Sequence, residues 1–153
     1  MKYTTEIIIA IPRVGLIEKL DNPASMKHWQ RGLTGYKVIS GIPGQEGSKI
    51  ELNYKFGRRE MVLIETIIKR NFPDEFHATY DTKGVHNIQR NYFEEIDPNS
   101  TKWVSESEFE FSGFVMKVMA FILPGAFKKQ SRQYAEDFKA FAEKGISVAK
   151  TTI

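Results

Sequence analysis

Cysteine is absent from the 153 residues, which excludes disulfide frameworks, thiolate metal sites and cysteine nucleophiles. Histidine is scarce. His28, His77 and His86 lack ligand-like spacing, and a metal site needs converging donors, so no metal and no other cofactor is expected. No glycine-rich phosphate loop is present, because the Gly41 to Gly47 stretch contains Pro43 and follows a strand into a hairpin rather than a helix. No nucleophile elbow occurs. Long apolar runs are also missing. The longest, Phe114 to Leu123, is interrupted by Lys117 and is too short to span a bilayer. The start has only the short run Ile7 to Ile11, broken by Pro12, and does not resemble a signal peptide. A cytoplasmic protein is therefore expected. The net charge of +3 is spread along the chain. Without a basic stripe on a recognisable module, a nucleic-acid partner is not expected. No repeat, low-complexity segment or linker divides the sequence, so residues 1–153 are read as one domain.

Aromatic residues and alternating strands are plentiful. The chain has 11 Phe, 6 Tyr and 2 Trp, side chains that supply buried area and line ligand cavities. Tyr3 to Ile11 reads as a strand. Val14, Ile17 and Leu20 then share one helical face. Asn22 caps a second short helix opening at Pro23, which carries Met26 and Trp29 and ends at Gly32. Further strands are read over Tyr36 to Ile42, Ser48 to Phe56, Glu60 to Arg70, Glu75 to Thr82, Val85 to Ile96 and Thr101 to Phe111, separated by turn residues. In the second of these, Ile50, Leu52, Tyr54 and Phe56 alternate with polar residues, which marks an antiparallel sheet with one packed face. The period changes after Ser112-Gly113. Pro124-Gly125 kinks or breaks the helical stretch. Phe127, Ser131, Tyr134, Phe138 and Phe141 then form one stripe of a long amphipathic helix. Gly145 is its expected C-cap, and the tail from Ile146 to Ile153 is expected to fray.

This order resembles the START-like, or SRPBCC, superfamily of plant pathogenesis-related ligand binders, polyketide cyclases and lipid-transfer domains. The resemblance runs from Thr4 to about Ala142. It rests on the two short helices at Pro12 to Leu20 and Asn22 to Gln30, the last strand from Thr101 to Phe111, and the helix from Gly113 to Glu143. It implies an α+β helix-grip fold: a curved seven-stranded antiparallel sheet wrapped around a long C-terminal helix, with a cavity between them. It does not transfer a function, and no family-wide catalytic motif exists to match.

The inward faces carry the candidate chemistry. The expected cavity wall takes Tyr54, Phe56, Leu63 and Tyr80 from the middle strands, and Trp103, Ser105, Ser107 and Phe109 from the last strand. The helical segment adds Met116, Met119, Ala120, Phe127 and Tyr134. Phe93 is the expected inward residue of its strand, which turns Asn87, Gln89 and Asn91 inward as well. A slip of one residue would instead turn in His86, Ile88, Arg90 and Tyr92. Inward amides need partners: a ligand, buried water or one another. Glu65 points in if Met61, Leu63 and Ile67 do, and a carboxyl in an apolar pocket can act as acid or base. The other register turns in Val62, Ile64, Thr66 and Ile68, and is favoured because charged side chains avoid burial. His77 and His86 are the remaining weak candidates for a base. Met116, Met119, Phe121 and Ile122 are read as an adaptable lid or core. With Lys117, Lys128 and Lys129 beside them, they make a transient membrane contact a further reading.

Three functions follow, in this order. The first is a binder or carrier of a hydrophobic small molecule: a lipid, an isoprenoid or a polyketide-like compound. The second is a cofactor-independent cyclase, dehydratase or hydrolase with a pocket Glu or His. The third is a stress-response or chaperone-associated interaction domain. A monomer or a homodimer is compatible with the sequence.

Overall fold

The computed structural model describes residues 1–149, apart from the side chains of Ile122 and Pro124. Seven strands, β1 (Lys2–Ile9), β2 (Leu33–Ser40), β3 (Lys49–Phe56), β4 (Arg59–Asn71), β5 (Glu75–Thr82), β6 (Val85–Asp97) and β7 (Ser100–Phe111), form one antiparallel sheet. Its order is β1-β7-β6-β5-β4-β3-β2, so the first strand lies beside the last. Two short helices, α1 (Arg13–Leu20) and α2 (Met26–Trp29), follow β1, and α3 (Phe114–Ile122) and α4 (Pro124–Lys144) end the domain.

Local chemistry accounts for these boundaries. Asn22 accepts a hydrogen bond from the Ala24 amide and Pro23 fills the first position of the 3-10 turn that leads into α2. Leu123 leaves helical geometry at φ −121° and ψ 38°, so α3 and α4 are separate helices rather than one kinked rod. Gly145 ends α4 in the left-handed conformation, φ 67°.

Three boundaries differ from expectation. β1 stops at Ile9, because Ile11 turns its amide back to the Ile9 carbonyl. β2 starts at Leu33 and stops at Ser40, with irregular register against β3, as an edge strand permits. The chain beyond α4 is held as far as the structure describes it: the Val148 amide bonds the His28 carbonyl at 2.9 Å, and His28 Nδ1 meets Ser147 Oγ at 2.8 Å. Residues 150–153 of the expected frayed tail lie outside the described residues.

α4 grips the β1 edge. Arg132 donates to the Glu6 carbonyl at 2.5 Å and Lys139 to the Ile8 carbonyl at 2.6 Å, which covers an edge that would otherwise be open to pairing. Arg31, just past α2, makes a two-pronged contact with Asp137, at 3.0 Å on each oxygen.

The core falls into two clusters. The first gathers Ile7, Ile9, Leu16, Trp29, Phe93, Trp103, Ala135, Phe138 and Ala142 under the C-terminal half of α4. Phe138 is completely buried and meets Trp29 and Trp103 edge-on, with ring centroids 5.1 and 5.3 Å apart. The second gathers Met26, Ile50, Leu52 and Tyr54, with Leu33, Met61, Leu63 and Tyr80 packed against it.

Candidate functional site on the concave face

Strand register decides which side chains look inward, because directly paired residues share a face. One row across the sheet reads Ile50, Glu65, Tyr80, Asn87, Phe109. The next reads Ile67, Ala78, Gln89, Ser107, Tyr3. Closer to the first core cluster, Phe76, Asn91, Ser105 and Thr5 are aligned, and then Phe93, Trp103 and Ile7.

These rows fill unequally. The Phe93–Trp103–Ile7 row is closed by Trp29 and Phe138. Between the two clusters, Leu63, Glu65, Tyr80, Gln89, Ser105, Phe109 and Phe111 face inward but are only half-buried. Surface that stays accessible on an inward face is surface the helices do not fully cover. α4 packs mainly on β1 and α2, and α3 on the end of β7, so the helices stand off from β3, β4 and β5.

Glu65 is therefore on the concave face, a correction to the register expected from charge. Its strand carries apolar residues at both alternations, Met61, Leu63 and Ile67 against Val62, Ile64 and Ile68, so the pattern did not discriminate. The burial of Ile50 and Leu52 on β3 sets the face, and Val62 and Ile68 are exposed on the other side. Among the described residues no ion pair reaches Glu65. By contrast, Asp21, Glu75, Glu108, Asp137 and Glu143 are each held by a lysine or arginine. Burial raises the Glu65 carboxyl above the usual glutamate value, and the Tyr80 hydroxyl beside it pulls it partly back. Burial also pushes the Tyr80 and Tyr54 hydroxyls well above the ordinary phenol value; the charge of Glu65 adds to both, and nearby Tyr134 to Tyr54. These phenols act as neutral donors. Tyr54 donates to Gln30 Oε1 at 2.5 Å, and Tyr3 donates to the Phe127 carbonyl at 3.0 Å and lies 2.6 Å from Ser131 Oγ.

A pH dependence follows from Glu65. Its folded value is raised, so the folded protein holds the proton more tightly than the unfolded chain. The contribution of Glu65 to stability is then fully present below the ordinary value of 4.5 and is lost as pH rises through the folded value. Glu65→Gln keeps a partner for Tyr80 and removes that fall. Urea midpoints of both proteins across this range should diverge as pH rises, with the variant the more stable; parallel curves would disprove the assignment.

The amide register is the one with Phe93 inward, but two of its amides are structural. Asn91 accepts from Trp103 Nε1 at 2.9 Å and is buried with it. Asn87 is buried, donates to the Glu108 carbonyl at 3.2 Å and accepts from Gln89 Nε2 at 2.9 Å. Gln89 alone of the three keeps accessible surface. Phe93 and Trp103 belong to the closed core rather than to a cavity wall, and Ser107 is buried. Phe56 lies at the rim, stacked on Tyr54, with its ring where a Gly32 Cβ would stand.

His77 and His86 are corrected out of the cavity. Both lie on the convex face, opposite Arg90 and Asp81 in register. His77 Nδ1 accepts from the Asn91 backbone N–H, while Nε2 faces Glu75 at 3.1 Å; His86 pairs with Asp81. His28 stacks on Phe141.

On the helices, Met116 and Ala120 are half-buried, as are Phe127 and Tyr134 on α4, whereas Met119 and Phe121 are exposed. The expected lid thus has its largest ring facing outward. The Ile122 side chain lies outside the described residues. Phe127 packs against Phe109 and Phe111, with centroids 5.0 and 5.6 Å apart. A hollow of about 720 Å³ also lies on the outside, between α1 and the β4–β5 turn. It is open to solvent, and Arg13 and Asp21 on its wall are engaged with Asp74 and Arg70. Its chemistry is weaker than that of the concave face.

No protein-family model matches the sequence, and no curated protein matches it. Solved structures do. A conserved protein from Geobacillus kaustophilus superposes with a TM-score of 0.76 at 13% identity, covering 93% of this chain and 95% of that one. Ara h 8.0201 gives 0.75 at 11% identity, with 93% and 97% covered. Norcoclaurine synthase from Thalictrum flavum, in complex with dopamine and hydroxybenzaldehyde, gives 0.69 at 12% identity, with 92% and 85% covered. The chain has the START-like helix-grip fold. At these identities the likeness establishes the helix-grip architecture and leaves chemistry to the site. In this helix-grip domain the C-terminal helix is preceded by a separate apolar helix, α3, set off at Leu123.

Proposed function

We propose that the chain binds and carries an apolar small molecule, of lipid, isoprenoid or polyketide-like character, between the sheet and α4. The reading rests on one observation: the inward residues Leu63, Glu65, Tyr80, Gln89, Ser105, Phe109 and Phe111 are half-buried rather than closed. The wall is largely aromatic and aliphatic, with Glu65, Tyr80 and Gln89 as a small polar group that orients a ligand. The bound small molecules of norcoclaurine synthase support the use of such a fold as a container. Native mass spectrometry of the mildly purified protein is expected to reveal a non-covalent apolar molecule, or saturable uptake of an apolar fluorescent probe. Finding neither would overturn the proposal.

A second reading, cofactor-independent catalysis, is favoured by Glu65 alone: a carboxyl with no cationic partner among the described residues, set beside the Tyr80 hydroxyl. In that reading Glu65 moves a proton and Tyr80 polarises a ligand oxygen. The same spectrometry on Glu65→Gln separates the two readings. Recovery of one and the same molecule from both proteins indicates carriage. Recovery of a different molecule from the variant indicates an interrupted reaction.

A further inference from the structure

The outer side of α3 is built in reverse for a surface helix. Residues three and four apart share a helical face, and here the solvent-facing stripe is Phe114, Val118 and Phe121, with Val115 beside it. Phe114 is 82% exposed, Val115 71% and Phe121 88%. The side turned to the protein holds Met116 and Ala120. Met116 rests on the β5–β6 turn so closely that a Cβ at Gly84 would come 2.7 Å from its Cγ, and the Ser112 amide bonds the Gly84 carbonyl at 2.9 Å. The helix is therefore seated by its small inner side, and its phenyl rings point outward because of that seating. Helices of soluble domains put such a stripe inward. An exposed patch of this kind marks a contact surface.

Charge indicates the partner. From Ser112 to Ala135 the chain carries Lys117, Lys128, Lys129 and Arg132 and no acidic residue, and the flanking acids are Glu110 and Glu136. Glu136 is paired with Arg132 at 2.9 Å, which leaves the three lysines as the charge of the segment. A second copy of the chain laid on this stripe would bring two sets of lysines together without a carboxylate from the segment between them. An anionic lipid surface accepts both parts, rings among the acyl chains and lysines among the headgroups. The dimensions suit a helix lying flat. Phe114 and Phe121 stand about 10 Å apart along the axis, two turns on one side. No described helix is long and apolar enough to cross a membrane.

We infer that α3 docks this protein onto anionic membrane surfaces, with Phe114, Val118 and Phe121 inserted at the interface and Lys117, Lys128 and Lys129 facing the headgroups. The contact needs no ligand in the domain and stands apart from the carrier reading. Sedimentation of the full chain with phosphatidylcholine vesicles, with and without phosphatidylserine, tests it. Binding is expected only with phosphatidylserine and is expected to weaken as salt is added. Phe114→Ser with Phe121→Ser, both at exposed positions, should weaken binding by about tenfold or more at an unchanged melting temperature. Lys128→Glu with Lys129→Glu should remove the dependence on phosphatidylserine. The inference falls if the wild type stays in the supernatant at low salt, or if the double serine variant binds as the wild type does. It also falls if light scattering finds a wild-type dimer that the serine variant disperses, which would assign the stripe to a second copy.

Discussion

Phe138→Ala is expected to lower the unfolding free energy by about 3–5 kcal/mol. The ring is fully enclosed and meets both tryptophans, Trp29 from α2 and Trp103 from β7, edge-on. Removing it costs the transfer of the ring and leaves a void that Trp103 cannot fill without breaking its own contact, since it is tied through Nε1 to Asn91 on β6. The loss is a large part of the roughly 5–15 kcal/mol that a domain of this kind has in total. Urea titration is the measurement, with a lower midpoint at an unchanged slope. A change below about 1 kcal/mol would mean that the ring is not the closed floor described here.

Gln89→Trp is expected to weaken uptake of an apolar probe by about a hundredfold, or about 2.8 kcal/mol, while the protein stays folded. Gln89 lies in the middle of the concave face, between the small residues Ala78 and Ser107 in register, and is half-buried, with the large residues of its row, Ile67 and Tyr3, one position further out on either side. A tryptophan there occupies space that a ligand would use. At a packed position the same change would bring overpacking strain of about 1–3 kcal/mol. The two cases therefore separate cleanly. Lost binding with retained stability supports an open interior, and lost stability with unchanged binding places the ligand elsewhere.

The topology was legible because its signals are local. Pro23 after Asn22, the turn glycines, the clean alternation in Lys49–Phe56 and the stripe from Phe127 to Phe141 each mark an element without reference to the rest of the chain. The site was less legible because it depends on register and depth. β4 is apolar at both alternations, so only its pairing with Ile50 and Tyr80 places Glu65 inside. On β6 the period gave the correct side for Asn87 and Asn91 but could not distinguish the buried amides, bonded to Glu108 and Trp103, from Gln89, which bonds Asn87 and still keeps accessible surface. Phe121 looked like lid or core by composition. The Met116–Gly84 contact that turns it outward joins residues far apart in the chain, and no periodicity reveals it.

The sheet closes by placing its opening strand against its final one, Lys2 opposite Glu108 and Ile9 opposite Thr101. About ninety residues separate the end of β1 from the start of the strand it pairs with. The floor of Ile7, Ile9, Trp103 and Phe138 draws on both ends of the chain. Six strands, β2 to β7, lie side by side in chain order, but the floor beneath them closes only when β1 and α4 join it, so the core waits on contacts between residues far apart in the sequence.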